Sequence, residues 1–481
     1  MASSSSSLTV PEVTFQPYVK EFLKRSFCNE KALGEVGEDV CTERWKNLLT
    51  ALSYPPLHTV LRVNTLHHSK EDTKEKLRQA LLQQYRLRER LPPDVSDHTS
   101  LDDTLVISPC GLPGATRTCT MSVSPSSKQV VVDLHCGLAV LRGADIFAPG
   151  VMAAPLDMVQ GDKVSVYVDV NGACRRGLTK PFEGEKVLLG NGQAVVGRRE
   201  LFVGSSQSRG VAVTMTEPIF DCPSLNGILT DRLFLQNLPS IVVGHVLKPA
   251  PGSKVLDMCA APGGKTTHLG SLMKDQGILV ALDKSQSKIN KVRQNAKRLG
   301  LSCVQAYVYD STKACCTDME ETSSQNSEIH APPYPPKTFD FILLDAPCSG
   351  LGQRPQICNQ LQLSEIKSYP AYQRQFLATA VSLLRPGGTL VYSTCTVTLA
   401  ENEGMVEWVL NTYPQLTLSE QIPHLGGVGI EGTNLNASQL SRLQRFHPIS
   451  SFTSDSPPHC DQDTIGFFIA KFLKCMEGEL T

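Results

Sequence analysis

The chain has 481 residues, of which 41% are hydrophobic, 19% charged and 6% aromatic, a core-forming composition that predicts about three globular domains and excludes disordered and fibrous classes. Lys+Arg number 46 and Asp+Glu 47, for a formal charge of −1, so the chain as a whole lacks the basic balance of a nucleic-acid binder. Its 16 cysteines form no CxxC pair and no structural-zinc spacing, which excludes a disulfide scaffold and predicts free thiols, no metal and a reducing, cytoplasmic setting.

Residues 1–12 read as a disordered Ser-rich lead without the basic and apolar regions of a secretory signal. No apolar run approaches the roughly 18 residues of a membrane span. From Val13 to Ser53 the apolar spacing is helical, through Phe22, Leu23 and Phe27, then Trp45, Leu48, Leu49 and Leu52. His58–Asn64 reads as a strand. Ser69 then caps an amphipathic helix, with Asp72 completing a weak capping box. These elements predict a small α/β unit.

Residues 128–203 change character. Short β-like runs (VVVDL, LAVLRGADIF, KVSVYVDV, KVLLGNGQAVVG) are separated by Gly, Pro, Asn and Asp, the pattern of a small all-β barrel. Arg142, Arg175, Arg176, Lys180 and Lys186 fall in or beside its turns. On pattern alone, solubility explains them.

From Lys254 strands alternate with helices: KVLDMC, ILVALD, CVQAYVYD, FDFILLDAP, TLVYSTC and a late GFFIAKFLK, with helices over 264–274, 285–299, 372–384 and 401–410. Such alternation predicts a parallel, doubly wound sheet with ligands past the carboxyl ends of its strands. Thr317–Lys337 reads as a surface insertion and 453–463 as loop.

The first strand runs into Cys259-Ala260-Ala261-Pro262-Gly263-Gly264-Lys265. Small residues there admit a ligand to the backbone, and a helix N-terminus follows. A phosphate-cradling P-loop requires glycine where Cys259 stands, and Pro262 also tells against it. The rival reading is a nucleoside cofactor, with Asp283 at the second strand tip suited to ribose hydroxyls and Asp310 at the third to a base edge. The fourth and fifth strands end in Asp345-Ala-Pro-Cys348 and Ser393-Thr-Cys395. Two thiols facing one pocket suit a redox pair or nucleophilic catalysis. Pyrimidine C5 methylation would use this whole inventory. Thiolate addition at C6 makes C5 nucleophilic toward a sulfonium methyl, an acid binds N3/N4, and a second group completes the cycle. Cys395, Asp345 and Cys348 fit those parts, with Lys265 a nearby cation.

At these positions the sequence resembles the Sun-domain RNA cytosine-5 methyltransferases, through CAAPGGKT (259–266), LLDAPCSG (343–350) and YSTCT (392–396). The resemblance implies that Cys395 is the nucleophile and Cys348 the thiol assisting adduct breakdown. It implies that Cys259–Lys265, Asp283, Asp310 and Asp345 form an S-adenosylmethionine site, with Asp345 and Lys265 near the base. The β-rich segment resembles a PUA domain, through RGADIFAPGV (142–151) and GDKVSV (161–166), and the combination is similar to the PUA-containing sixth member of the group. That likeness implies a Rossmann-like methyltransferase domain (221–481), an N-terminal α/β unit (13–125) belonging with the catalytic half, and an inserted all-β PUA barrel (126–220). It implies a monomer acting on a cytosine of the transfer RNA acceptor stem near the CCA end, with messenger RNA a further candidate. The turn cations become candidate RNA contacts. One departure is Gln356-Ile-Cys-Asn-Gln-Leu-Gln where most relatives carry tryptophan. A catalytically silent RNA-binding scaffold and a nucleotide triphosphatase are the competing readings. The charge of −1 is itself a cancellation. Residues 251–300 carry nine Lys/Arg against three Asp/Glu, and 401–481 carry four against ten.

Overall fold

The structure, a computed structural model, describes residues 12–86, 90–108, 123–203, 209–316, 331–448, 459–476 and 478. The expected lead over 1–12, apart from residue 12, lies outside them, as do 317–330 of the expected insertion and 453–458 of the expected loop.

The N-terminal helical run is three helices, Pro17–Phe27, Glu30–Val36 and Glu38–Leu52. Asn29 starts the second by accepting from Ala32 N–H at 3.0 Å. Gly37, at φ 85°, starts the third. Thr59–Val63 is the predicted strand, in a four-stranded sheet ordered 233–235, 59–63, 104–108, 94–97. Strand Leu233–Leu235 thus returns to this sheet after the 129–218 segment. Ser69 Oγ accepts from Asp72 N–H at 3.3 Å, but the Asp72 carboxylate bonds Lys76 and Arg232. Ion pairing, not a reciprocal capping box, claims it.

The 129–218 segment departs from the expected all-β barrel. Its six-stranded sheet runs 146–147, 211–218, 186–194, 163–169, 129–132, 151–153, so among the described residues the edge strands 146–147 and 151–153 do not pair with each other and the sheet is open. Helices Leu134–Val140 and Arg198–Phe202 accompany it. The first replaces part of the run read as strand, because Asp133 caps it by accepting from Cys136 N–H at 2.8 Å. Gly137 then seats it so closely on Val168 that a Cβ would fall 2.5 Å from that side chain.

The C-terminal half carries an eight-stranded sheet whose path runs 304–308, 278–283, 254–257, 339–345, 384–394, 467–474, 416–418, with 444–446 pairing 467–474 off that path. The first five strands are parallel, as alternation predicts, and 467–474 joins antiparallel. The order reverses between 254–257 and 339–345, the switch point where doubly wound sheets open a crevice. Helix Leu238–Leu247 is apolar almost all round and is buried between this sheet and the N-terminal one. Helix Gln286–Arg298 buries only Ile289, Val292 and Ala296. The helix expected over 372–384 spans Leu363–Leu383. Pro370 inside it reads in sequence as a stop, since it lacks an N–H, yet Ile366, Phe376, Leu377 and Ala380 are buried and hold the helix through it. Among the described residues no helix is long and apolar enough to cross a membrane.

Candidate active site

Four of the predicted residues converge at the switch point. Lys265 Nζ donates to Asp345 Oδ2 at 2.7 Å, and Ser393 Oγ donates to Asp345 Oδ1 at 2.7 Å. Cys348 Sγ and Cys395 Sγ are 3.5 Å apart. Adjacent parallel strands produce this meeting, because Asp345 pairs in register with Ser393 and each cysteine follows within three residues.

The two thiols differ in acidity. The hydrogen bond from Cys348 is the main influence holding Cys395 below the ordinary thiol range; burial and Asp345 oppose it, while Gln353 and Lys265 assist. The same bond, then burial, pushes Cys348 well above that range. A thiolate at Cys395 accepting S–H from Cys348 accounts for both directions.

The cysteine loops are fastened by a residue the sequence reading missed. Glu401 is 1% exposed. It accepts from Ser349 N at 3.0 Å, Ser349 Oγ at 2.6 Å, Thr398 Oγ1 at 2.8 Å and Gln373 Nε2 at 3.1 Å. Next to it, Asn402 Oδ1 accepts from Thr394 Oγ1 at 2.6 Å and its amide donates to Thr396 O at 3.1 Å. One buried carboxylate with these donors spans both loops. Its signal, an acid six residues after the second cysteine, is indistinguishable in sequence from an ordinary helix-start acid.

The loop after strand 254–257 is rigid. Thr266 Oγ1 bonds the buried Asp257 at 2.7 Å, Ser311 Oγ bonds Met258 O at 2.6 Å and Asn295 Nδ2 bonds Pro262 O at 2.9 Å. Gly263, at φ 104°, lies so close to helix Gln286–Arg298 that a Cβ would approach Val292 Cα to 3.2 Å. Burial lifts Asp257 to about 7 and Cys259 well above the ordinary thiol range. Asp283 and Asp310 stand at neighbouring strand tips on the same edge, facing Lys288 at 4.0 Å and Lys284 at 3.2 Å. Two carboxylates beside a loop of small residues fit a nucleoside, whose hydroxyls and amine offer hydrogens for them to accept.

The five turn cations differ in their partners. Arg176 donates to Pro149 O at 2.8 Å, Val151 O at 2.6 Å and Ala148 O at 3.3 Å, which makes it a turn-holding residue. Lys186 bonds Phe182 O and Gln129. Arg142 borders a cleft of about 520 Å³ shared with Arg298 and Gln236. Arg175 and Lys180 are exposed. The Gln356–Asn359 stretch pairs with the N-terminus: Cys358 and Asn359 oppose Thr14 and Phe15 in a two-stranded ladder, and Gln356 N–H bonds Leu52 O at 2.7 Å.

A family model described as 16S rRNA methyltransferase RsmB/F matches residues 244–473. Two relatives described as tRNA (cytosine(72)-C(5))-methyltransferase NSUN6 match nearly end to end. That of Mus musculus is 44% identical over 97% of this chain and 97% of its own; that of Homo sapiens is 42% identical over 97% and 98%. The crystal structure of NSun6 from Pyrococcus horikoshii with SFG superposes with a TM-score of 0.70 at 30% identity, covering 96% of this chain and 99% of that one. Fold, site and relatives define the class, the S-adenosylmethionine-dependent RNA cytosine-C5 methyltransferases. Within it, the chain belongs to the NSUN6 family.

Proposed function

We propose that this protein methylates C5 of cytosine 72 in the transfer RNA acceptor stem, beside the CCA end, through a covalent Cys395–C6 adduct. The observation that carries this reading is the 3.5 Å Cys348–Cys395 pair beside the Lys265–Asp345 ion pair. The site number comes from the relatives' descriptions.

The target base must leave its stack to reach strand ends this deep. Cys395, held toward thiolate, adds to C6. Asp345 faces the N3/N4 edge, and the Lys265 ammonium offsets negative charge developing on the ring. The 259–265 loop, Asp283 and Asp310 would hold S-adenosylmethionine, which would supply the sulfonium methyl for C5. Cys348, having given its own S–H proton to solvent, then takes the C5 proton as a thiolate; the C5–H electrons reform the C5–C6 double bond and Cys395 leaves C6 as a thiolate. The timing follows from the pair itself. Once Cys395 is a thioether, the strongest influence keeping Cys348 protonated is gone and burial is the main one left, so the second thiol ionises more easily after the first has reacted.

We read residues 13–125 and 221–481 as the catalytic half and 126–220 as an inserted PUA-type module contacting RNA through Arg175 and Lys180. The fourteen described cysteines are free thiols, which suits a cytoplasmic enzyme; we take it to act as a monomer. Bisulfite sequencing of transfer RNA before and after incubation with protein and S-adenosylmethionine tests the reading. Protection of cytosine 72 alone supports it; unprotected cytosine 72 contradicts it.

A further inference from the structure

Helix Gly264–Leu272 works on two faces. At 100° per residue, Lys265 and Thr266 project to one side, and Gly264, Thr267 and His268 to the other. The first pair serves the site, through Asp345 and Asp257. The second face is gripped by the N-terminal unit.

Arg62 is 1% exposed, an unusual place for a cation. Its guanidinium donates to Thr267 Oγ1 at 2.9 Å, Gly264 O at 3.4 Å and Gln236 Oε1 at 3.0 Å and packs on the Phe234 ring, 5.4 Å from its centre. The Asp103 carboxylate bonds His268 Nε2 at 2.8 Å and His245 Nε2 at 2.9 Å. His268 Nδ1 is buried without a partner and abuts Gly244, where a Cβ would stand 2.3 Å away. The ring hydrogen is therefore on Nε2, donated to Asp103. Two histidines and one aspartate are also a metal-ligand set, but here that hydrogen occupies the bond between ring and carboxylate. Arg62 and Asp103 sit side by side, since Arg62 pairs with Thr104 across adjacent strands. One sheet thus holds three contact points, 264, 267 and 268, on one face of the helix that aims Lys265.

We infer that Arg62 and Asp103 are positioning residues: the N-terminal unit clamps the outer face of the cofactor-loop helix and so sets the 259–265 loop and Lys265. This inference rests on the reading of that loop and of Lys265 given above. A misplacement of about 1 Å by a distant residue can cost about a hundredfold in rate, so a buried polar clamp is functional as well as structural.

The test uses the full chain, with kinetics of tritiated methyl transfer to transfer RNA and calorimetric titration with S-adenosylmethionine. Thr267→Val removes the hydroxyl that Arg62 holds, and Thr267→Ser restores it. The clamp predicts that Thr267→Val raises the KM and Kd for S-adenosylmethionine about tenfold, the size of losing one bond from a charged donor. The KM for RNA stays within about twofold and Thr267→Ser recovers the wild-type value. Arg62→Met and Asp103→Asn, where they fold, move the same constants. A role in stability alone would lower the melting temperature and active fraction while leaving those constants unchanged; that result overturns the inference. Stoichiometric metal in the purified protein also overturns it, since the histidines would then be ligands. Lys265→Met separates the two readings. Full activity in that variant sinks the site assignment, whereas its inactivity with a wild-type KM in Thr267→Val sinks the clamp alone.

Discussion

Cys348 and Cys395 meet at 3.5 Å across the ends of two neighbouring parallel strands, and the bond between them divides their acidities. Cys395 is pulled below the ordinary thiol range chiefly by the S–H of Cys348. Removing that donor should raise it. In Cys348→Ala, the midpoint of the pH dependence of Cys395 alkylation by iodoacetamide, followed by mass spectrometry, should move up. An unchanged midpoint shows that Cys348 does not tune the nucleophile.

Glu401 holds both cysteine loops from behind. Glu401→Ala removes the carboxylate that the buried Ser349 N–H and Thr398 Oγ1 donate to, and one of two partners each of Ser349 Oγ and Gln373 Nε2. It should cost about 3 kcal/mol of stability and abolish methyl transfer. Chemical denaturation and tritium transfer measure the two. A stable, active Glu401→Ala variant would show the loops to be held otherwise.

Asp257 gives a pH dependence whose sign is opposite to that of a paired carboxylate. Burial lifts it to about 7, while the unfolded chain titrates it near 4. Between those values the native state keeps a proton that the unfolded chain has lost, so this contribution is full below about pH 4 and fades as pH rises through 7. Relative to Asp257→Asn, the wild type should lose melting temperature as pH rises from about 5 to 8. A constant difference between the two proteins over that range contradicts the assignment.

The turn cations separate by their partners. Arg175→Gln with Lys180→Gln should weaken transfer RNA binding and flatten its salt dependence without lowering the melting temperature. Arg176→Gln frees three carbonyls of 148–151 and should lower the melting temperature instead. Filter binding at several salt concentrations, with thermal melts, distinguishes them. Equal behaviour of the two variants would refute the division.

What the sequence made legible lay at strand ends. Asp345, Cys348 and Cys395 sit within three residues of apolar runs, and a doubly wound order brings such ends together, so their meeting followed from alternation and motif. Asp283 and Asp310 followed by the same rule. Arg62, Asp103 and Glu401 were illegible because their partners lie 205, 165 and 52 residues away and no local spacing marks a buried charge. The helix at 134–140 was masked because its apolar residues lie against the sheet and its cap, Asp133, also suits a turn. The start of helix 363–383 was hidden by Pro370. Arg176 looked like a free surface cation, but its three carbonyl partners come from 25 to 28 residues earlier.

The central claim is that Cys395 bonds the base and Cys348 releases it. Denaturing gel electrophoresis of protein incubated with transfer RNA and S-adenosylmethionine tests this most directly, comparing wild type, Cys348→Ala, Cys395→Ala and the double variant. The mechanism predicts a shifted, RNase-sensitive covalent band in Cys348→Ala only. A covalent band that survives in the double variant, or its absence in a folded Cys348→Ala protein, would contradict it.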